Sequence, residues 1–257
     1  MGDPFGTAPA AGAMLGVAAA ALLGGLSRGF SGFGAALVFV PLASAAVGPR
    51  EAVPVLALLE TFAILVFLPN AWRLSDRRET ALMAAGAVAG VPVGAAVLAT
   101  ADPIALRWVL AGLVFGAVAL LTSGWRYRGR PAPPLTVAVG GVGGVMSGAA
   151  MLGGVAPAAY WLGGIASSAA RVRANMNLYF AVLTAFVVAA YVVAGLMGWR
   201  VGWLALAAGP SYALGLFAGA RLFWLASERT FRWAAYALIL ASGLAGLPVW
   251  DGLWRGG

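Results

Sequence analysis

The sequence predicts an all-α integral membrane protein made of two inverted-topology repeats, each a broken-helix hairpin plus three transmembrane helices. Three observations support this prediction: an apolar composition, Gly-rich interruptions in two long apolar stretches, and a spacing of small residues that recurs in both halves. Of the 257 residues, 62% are hydrophobic and only 9% are charged, whereas soluble domains carry about 25% charged residues. A bilayer accommodates this composition because apolar side chains can face lipid.

Apolar runs separated by turn and charge signals give the order of the elements. They cover about 11–26, 35–47, 53–68, 82–99 and 106–122, and then 135–165, 174–197, 201–225 and 231–247. A span needs about 20 apolar residues. The stretches 11–47 and 135–165 are too long for one straight helix and are interrupted at 28–34 and 146–154. We interpret each as a pair of short helices, arranged as a re-entrant hairpin or as two tilted crossings.

Small residues recur at a constant spacing in the two halves. In the first block the spacing is 116 residues, which pairs Gly25 with Gly141, Ser31 with Ser147 and Pro41 with Pro157. In a later block it is 125 residues, which pairs Arg107 with Arg232. Gly90 and Gly94 of this block, and their copies Gly215 and Gly219, fit helix-packing faces. We therefore predict a first inverted repeat at 11–123, a cytoplasmic linker at 124–134 and a second inverted repeat at 135–248.

The arginines predict the orientation of the chain. Cytoplasmic loops are rich in basic residues, which places the loop with Arg73, Arg77 and Arg78 inside, together with the linker. Counting spans from these loops puts the N-terminus and the C-terminus outside. Each half then crosses the membrane an odd number of times, so the halves have opposite orientations, as in many secondary transporters.

The first break is the predicted binding site for an anion. A broken helix leaves free N–H groups, and a helix N-terminus carries partial positive charge. We expect Phe33-Gly34-Ala35 to open the second half-helix with Ser31 as its N-cap, and Arg28 lies directly beside the turn. Alternatively, Arg28 lies near an interface and only fixes orientation. The predicted substrate-binding residues are Arg28, Ser31, Gly32, Phe33, Gly34, Ala35, Ser147, Gly148, Ala149 and Asn175.

Three further polar side chains lie in or beside apolar runs. Asn175 and Asn177 begin a span, where an amide side chain either contacts the ligand or packs between helices. Glu60 is the only carboxylate well inside an apolar run. It is a candidate for proton coupling, or it pairs with an arginine.

Several function classes are excluded or disfavoured by the residues that the chain contains. It has no Cys and no His, so thiolate chemistry, haem ligation by His and His-based zinc sites are excluded, and we expect no cofactor and no metal. The segment Gly29-Phe30-Ser31-Gly32 matches the G-x-S-G of intramembrane serine proteases, but the serine would have no His to activate it. We therefore predict that the protein is not an enzyme. The net charge of +8 indicates membrane topology rather than nucleic-acid binding.

The first break also carries a family resemblance. The pattern Gly-x-x-Ser-Gly-Phe-Gly, in altered form at Gly29–Gly34, is followed by Pro41, Gly48 and a basic turn, and a weaker copy recurs in the second half. From about residue 12 to 247 the chain resembles the TauE/SafE family of sulfite and organosulfonate exporters. The second turn departs from the pattern, since Ala149 and Ala150 replace Phe-Gly.

The resemblance implies export of sulfite, sulfoacetate or a related organosulfonate. The expected protein is a secondary transporter that binds this anion near the membrane midplane between the two broken helices. A passive anion channel and a non-transporting membrane assembly factor are the alternatives. The expected location is the bacterial inner (plasma) membrane, with the lipid bilayer and a small anion as partners and no nucleic acid. Which anion is moved, whether protons couple and whether the chain forms a homo-oligomer stay open.

Overall fold

The computed structural model describes residues 10–32, 34–124, 127, 129, 132–161, 169–225 and 228–251. Within them the regular elements are helices without a strand, which confirms the all-α prediction. Helices α1, α3, α4, α5, α8 and α9 are long and apolar enough to cross a membrane. The helices are α1 (Ala11–Ser31), α2 (Ala35–Val47), α3 (Pro49–Leu74), α4 (Arg77–Thr100), α5 (Pro103–Thr122), α6 (Pro133–Ala150), α7 (Val155–Trp161), α8 (Ala169–Val193), α9 (Trp199–Leu225) and α10 (Glu228–Ala245), followed by a 3₁₀ turn (Pro248–Trp250).

Each interrupted stretch folds as a hairpin of one long and one short helix. A Cβ placed on Gly16 would lie 3.2 Å from the Cβ of Ala46, and one on Gly24 would lie 3.0 Å from the Cβ of Phe39, so α1 and α2 run antiparallel. In the second half, α7 folds back on α6, since a Cβ on Gly143 would lie 3.5 Å from Cγ of Pro157. With 13 and 7 residues, α2 and α7 are about 20 and 10 Å long, too short to cross a hydrocarbon core of about 30 Å.

Both breaks are shorter than the sequence predicted. Helix α1 continues through Arg28 to Ser31, and α6 continues to Ala150, so that in this part of the described chain Gly32, Gly34 and 151–154 lie outside helices. The glycines before each break do not interrupt the helix, because they lie against a neighbouring helix. The prediction of two short helices in each stretch was therefore wrong for α1 and α6, which have 21 and 18 residues.

The structure changes the register of the internal repeat by three residues. The C-caps of α1 and α6 both have left-handed backbone, Gly32 with φ 79° and Met151 with φ 57°. They lie 119 residues apart (151 − 32), not 116, so Ser147 corresponds to Arg28 (147 − 28 = 119) rather than to Ser31. Small residues recur about once per turn in both helices. The sequence alone therefore also allows an alignment of the two halves that is displaced by about one turn.

Two contacts between parallel helices, here called glycine seams because glycines line them, join the two predicted halves. Helix α1 packs on α9, where a Cβ on Gly25 would lie 2.3 Å from the carbonyl oxygen of Tyr212. Helix α6 packs on α4, where a Cβ on Gly144 would lie 2.0 Å from the carbonyl oxygen of Ala87. The first helix of each half thus contacts the fourth helix of the other half. Backbones this close exclude any side chain larger than hydrogen. The packing role predicted for the two spaced glycine pairs is confirmed by Gly90, Gly94, Gly215 and Gly219, whose Cβ positions all fall within 2.3 Å of a facing carbonyl oxygen.

Helices α3 and α8 cross the centre of the bundle in opposite directions. The N–H of Asp76, just after α3, donates to Oδ1 of Asn175 near the start of α8 at 2.7 Å. At the other end, Glu51 in the first turn of α3 forms an ion pair of 3.0 Å with Arg200, just beyond the end of α8. This antiparallel crossing supports two inverted halves. Their orientation in a bilayer and the domain limits 11–123, 124–134 and 135–248 stay predictions, and linker residues 125, 126, 128, 130 and 131 lie outside the described residues.

Candidate functional site

A cavity of about 30 Å³ lies between the two helix breaks. Since one water molecule needs roughly 10–15 Å³ of such space, the cavity has room for about two. The sequence analysis places an anion between these two turns, and its binding in this cavity stays a prediction. Residues from both hairpins and from α3 and α8 line it: Arg28, Gly34, Ala35, Ala36, Leu37, Leu56, Glu60, Ser147, Met151, Leu152, Gly154, Val155, Phe180 and Thr184.

Arg28 provides the positive charge of the cavity wall. It lies in the last turn of α1 and is only 2% exposed. Its Nε donates to Oε2 of Glu60 at 3.0 Å, and its Nη1 donates to the carbonyl of Gly32 and to Oδ1 of Asn177, the latter at 3.3 Å. The Nη2 group is buried and has no hydrogen-bond partner among the described residues. Arg28, which lines the cavity, therefore still has N–H groups that can donate a hydrogen bond to a ligand.

Two aromatic rings hold the Arg28 guanidinium from its sides. The central carbon of the group lies 5.1 Å from the ring centroid of Phe180 and 5.8 Å from that of Phe67. Both distances are within the range of cation–π attraction. The two rings therefore stabilise the positive charge of Arg28 beside its hydrogen-bond partners.

Glu60 neutralises Arg28 inside the bundle. Its second carboxylate oxygen accepts a hydrogen bond from the hydroxyl of Tyr212 on α9, so both oxygens have partners. Of the two roles foreseen for Glu60, pairing with an arginine is confirmed, whereas proton coupling stays a prediction. Removing one member of a buried pair costs about 3–5 kcal/mol because the other charge is left buried and unpaired.

The start of α2 supplies backbone donors. Gly34 is its N-cap with φ 96°, and among the described residues no side chain caps this end. Ala35, Ala36 and Leu37, which form the first turn, all line the cavity. The first N–H groups of a helix lack intrahelical partners, and such an end is a ready anion-binding element.

The cap predicted for α2 was wrong. Ser31 lies in α1, not in the turn, and its Oγ donates to the carbonyl of Ser27 at 2.7 Å. The reason is that α1 continues by one turn beyond the predicted break, so that Gly34 takes the cap position. Gly32 forms the C-cap of α1 beside the side chain of Arg173. Phe33, also predicted to bind substrate, lies outside the described residues.

Tyrosine hydroxyls fix the second break. Tyr191 donates to the carbonyl oxygens of Ser147 and Gly148 at 3.2 and 2.8 Å, and Tyr179 donates to that of Gly153 at 3.4 Å. Ser147 lines the cavity opposite Arg28. Gly148 and Ala149 do not belong to the lining: Gly148 lies in the seam with α4, and Ala149 packs against the apolar core.

Asn175 and Asn177 have different surroundings. Asn175 is buried, and its amide oxygen accepts the N–H of Asp76, which fixes the α3–α4 turn to α8. Asn177 instead contacts Arg28. Of the residues predicted as ligands, the structure thus brings together Arg28, Gly34, Ala35 and Ser147 around the cavity, with Glu60 beside them.

Sequence reasoning missed Phe180, Thr184 and Tyr212. The first two follow Asn177 at helical spacing (i+3 and i+7), so they share one face of α8 with it, and this spacing could have revealed them. Tyr212 lies mid-helix rather than at the end of a span. A phenol that far from an interface needs an internal hydrogen-bond partner, and Glu60 is the carboxylate within an apolar run that could provide it.

A multi-pass helical bundle with two hairpin breaks beside an internal cavity is an arrangement typical of membrane transporters. The family model "Sulfite exporter TauE/SafE" matches residues 17–246, and the chain belongs to this family. The family consists of membrane exporters of sulfite and organosulfonates, which agrees with the expectation of a transporter rather than an enzyme. It also agrees with the bilayer and a small anion as partners. No curated protein and no solved structure matches the chain.

Proposed function

We propose that the protein exports a small sulfur-containing anion, such as sulfite, sulfoacetate or a related organosulfonate, which binds in the cavity between the two breaks. The observation that carries the proposal is Arg28, which lines the cavity and whose buried Nη2 group has no hydrogen-bond partner among the described residues. A buried unsatisfied polar group is costly. An oxyanion would satisfy this group with a charge-assisted hydrogen bond.

The remaining donors suit a group with several oxygens. The first turn of α2 offers backbone N–H groups on one side, and Ser147 offers a hydroxyl from the opposite hairpin. A sulfite or sulfonate group has three oxygens in a pyramid. It can accept hydrogen bonds from the guanidinium, the amides and the hydroxyl at the same time. The apolar residues Leu37 and Leu56 in the wall suit contact with the carbon part of an organosulfonate.

A carrier fits the cavity better than an open channel. Space for about two water molecules is too small for a hydrated anion, so the substrate must shed water and the bundle must change conformation to pass it. An inside-negative potential favours the exit of an anion by about 2.3 kcal/mol per charge per 100 mV. Export can then proceed as uniport without a second coupled ion.

The orientation we propose places both termini outside the bacterial inner membrane. The contact of Asp76 with Asn175 brings the arginine-rich segments 73–78 and 171–173 to the same end of the bundle. The Glu51–Arg200 pair lies at the opposite end. An accumulation of arginines at one end supports a cytoplasmic location for that end.

Efflux from proteoliposomes tests the proposal. Vesicles loaded with radiolabelled sulfite or sulfoacetate should lose label faster with the purified protein than without it, the rate should saturate, and unlabelled external substrate should drive counterflow. Arg28→Gln should abolish saturable efflux. Conductance without counterflow would indicate a channel, and no flux of either anion would favour the assembly factor.

Two control variants separate binding from folding. Arg28→Gln leaves Glu60 buried without its partner, so the double variant Arg28→Gln/Glu60→Gln removes both charges together. It should insert normally and still fail to transport. Arg107→Gln removes another buried arginine, which pairs with Asp251 away from the cavity, and it should retain transport per inserted molecule. Normal efflux by the double variant would exclude Arg28 from the site.

A further inference from the structure

We infer that Glu60 balances the charge of Arg28 whenever substrate is not bound, and thereby allows the carrier to return without substrate. This inference rests on the proposed function, since it requires that Arg28 binds the exported anion. Glu60 acts through Arg28 and not through substrate, so it is a positioning residue. This role differs from proton coupling by Glu60, because no proton needs to cross the membrane with the anion.

The geometry gives Glu60 and a substrate different N–H groups of one guanidinium. Nε of Arg28 contacts Glu60 at 3.0 Å, whereas Nη2 has no partner among the described residues. Glu60 is held from the far side by the hydroxyl of Tyr212, so the carboxylate keeps its place when the ligand arrives at or leaves Nη2. The substrate and Glu60 can therefore share Arg28 as a common partner.

The charge balance explains why such a residue is needed. A uniporter completes its cycle only if the unloaded protein can change conformation. An arginine without a counter-ion is expensive to keep in the membrane interior, and the buried conformations between the two open states would then be hard to reach. With Glu60 present, the Arg28–Glu60 pair is neutral before the anion binds and after it leaves. Arg173 is another charged group near this turn, and its Nη2 donates to the carbonyl of Gly29 at 3.2 Å.

The same pair limits how tightly the substrate is held. A negatively charged substrate on Arg28 lies near the negative Glu60, which weakens binding and speeds release. Removing the Glu60 charge should therefore tighten sulfite binding by about tenfold or more, because like charges a few ångströms apart in a protein repel strongly. Tighter binding together with slower return is the signature of this role.

The experiment compares two modes of transport by Glu60→Gln in proteoliposomes. Net efflux of radiolabelled sulfite into sulfite-free buffer requires return of the unloaded carrier, whereas exchange at equal sulfite on both sides does not. We expect net efflux to fall at least tenfold, exchange to fall by a much smaller factor because only substrate release is slowed, and the sulfite concentration for half-maximal exchange to decrease. A merely structural role would reduce both modes in proportion.

Matched variants keep the test decisive. Glu51→Gln removes another arginine-paired carboxylate of α3 far from the cavity and should leave the ratio of exchange to net efflux unchanged. If Glu60→Gln does not insert, Glu60→Asp provides the test, since it keeps the charge but shortens the reach to Arg28. It should lower net efflux more than exchange, by a smaller factor.

Proportional loss of exchange and net efflux in the Glu60 variants, or unchanged net efflux, would overturn the inference while leaving the proposed function intact. Failure of the proposed function gives a different result, because the wild-type protein would then show no saturable sulfite or sulfoacetate transport in either mode.

Discussion

Gly32 and Met151 end the long helices of the two hairpins with the same left-handed backbone, at φ 79° and 57°, although one is a glycine and the other is not. An L side chain at such a position costs roughly 1–2 kcal/mol.

Substitution of Gly32 by Ala should therefore destabilise the protein by about 1–2 kcal/mol. The cost should be larger if the side chain of Arg173 cannot move, because its Cγ and Nε would lie 3.3 Å from the new Cβ. Thermal unfolding in mild detergent measures the change. The contrasting variant is Gly112→Ala, which has open space around its Cβ in the interior of α5 and should be neutral or stabilising.

The seam between α4 and α6 should tolerate no side chain at Gly144. Its Cβ would lie 2.0 Å from the carbonyl oxygen of Ala87, so Gly144→Ala must push two backbones apart, at a cost of about 1–3 kcal/mol or more. We expect a lower unfolding temperature and a reduced yield of inserted protein. Gly116→Ala on α5, where nothing lies within 4 Å of the Cβ position, is the matched control. Equal stability of the two variants would contradict the close approach of α4 and α6.

Replacement of Asn175 should affect stability and not substrate affinity. Asn175→Leu removes the acceptor for the N–H of Asp76, and the loss of such a hydrogen bond costs about 0.5–1.5 kcal/mol. The unfolding temperature should fall while the sulfite concentration for half-maximal efflux stays the same. A selective rise in that concentration, with stability retained, would instead support the original prediction that Asn175 binds substrate.

Arg107 should fix the end of the chain to α5. It donates to the carbonyls of Gly246 and Leu247 just after α10 and pairs with Asp251 at 2.6 Å. Arg107→Gln should destabilise the protein by about 2 kcal/mol, since hydrogen bonds to a charged donor are lost. Asp251→Asn should cost no more than about 1 kcal/mol, because this carboxylate is partly exposed to solvent. Limited proteolysis of the C-terminal segment, compared between the two variants, measures the difference.

The sequence predicted the fold class and the location of the two hairpins better than it predicted the contacts within the bundle. Hydropathy and Gly-rich interruptions located both hairpins, because a bilayer imposes length and polarity directly on the chain. The role of Ser31 was wrong because the limits of a helix depend on packing: glycines that suggested a break instead let α1 lie against α9. The pairing of Glu60 was foreseen as one of two roles, but its second partner, Tyr212, is 152 residues away. Only the assembled bundle brings them together.

The reciprocal glycine seams limit how this protein can move. Helix α1 belongs to the first half but is packed backbone to backbone against α9 of the second, and α6 is packed in the same way against α4 of the first. Rocking of one half against the other as rigid bodies would have to open both seams. We therefore expect the motion that exposes the cavity to one side and then to the other to come from bending at the two short breaks, while the closely packed helix pairs move little.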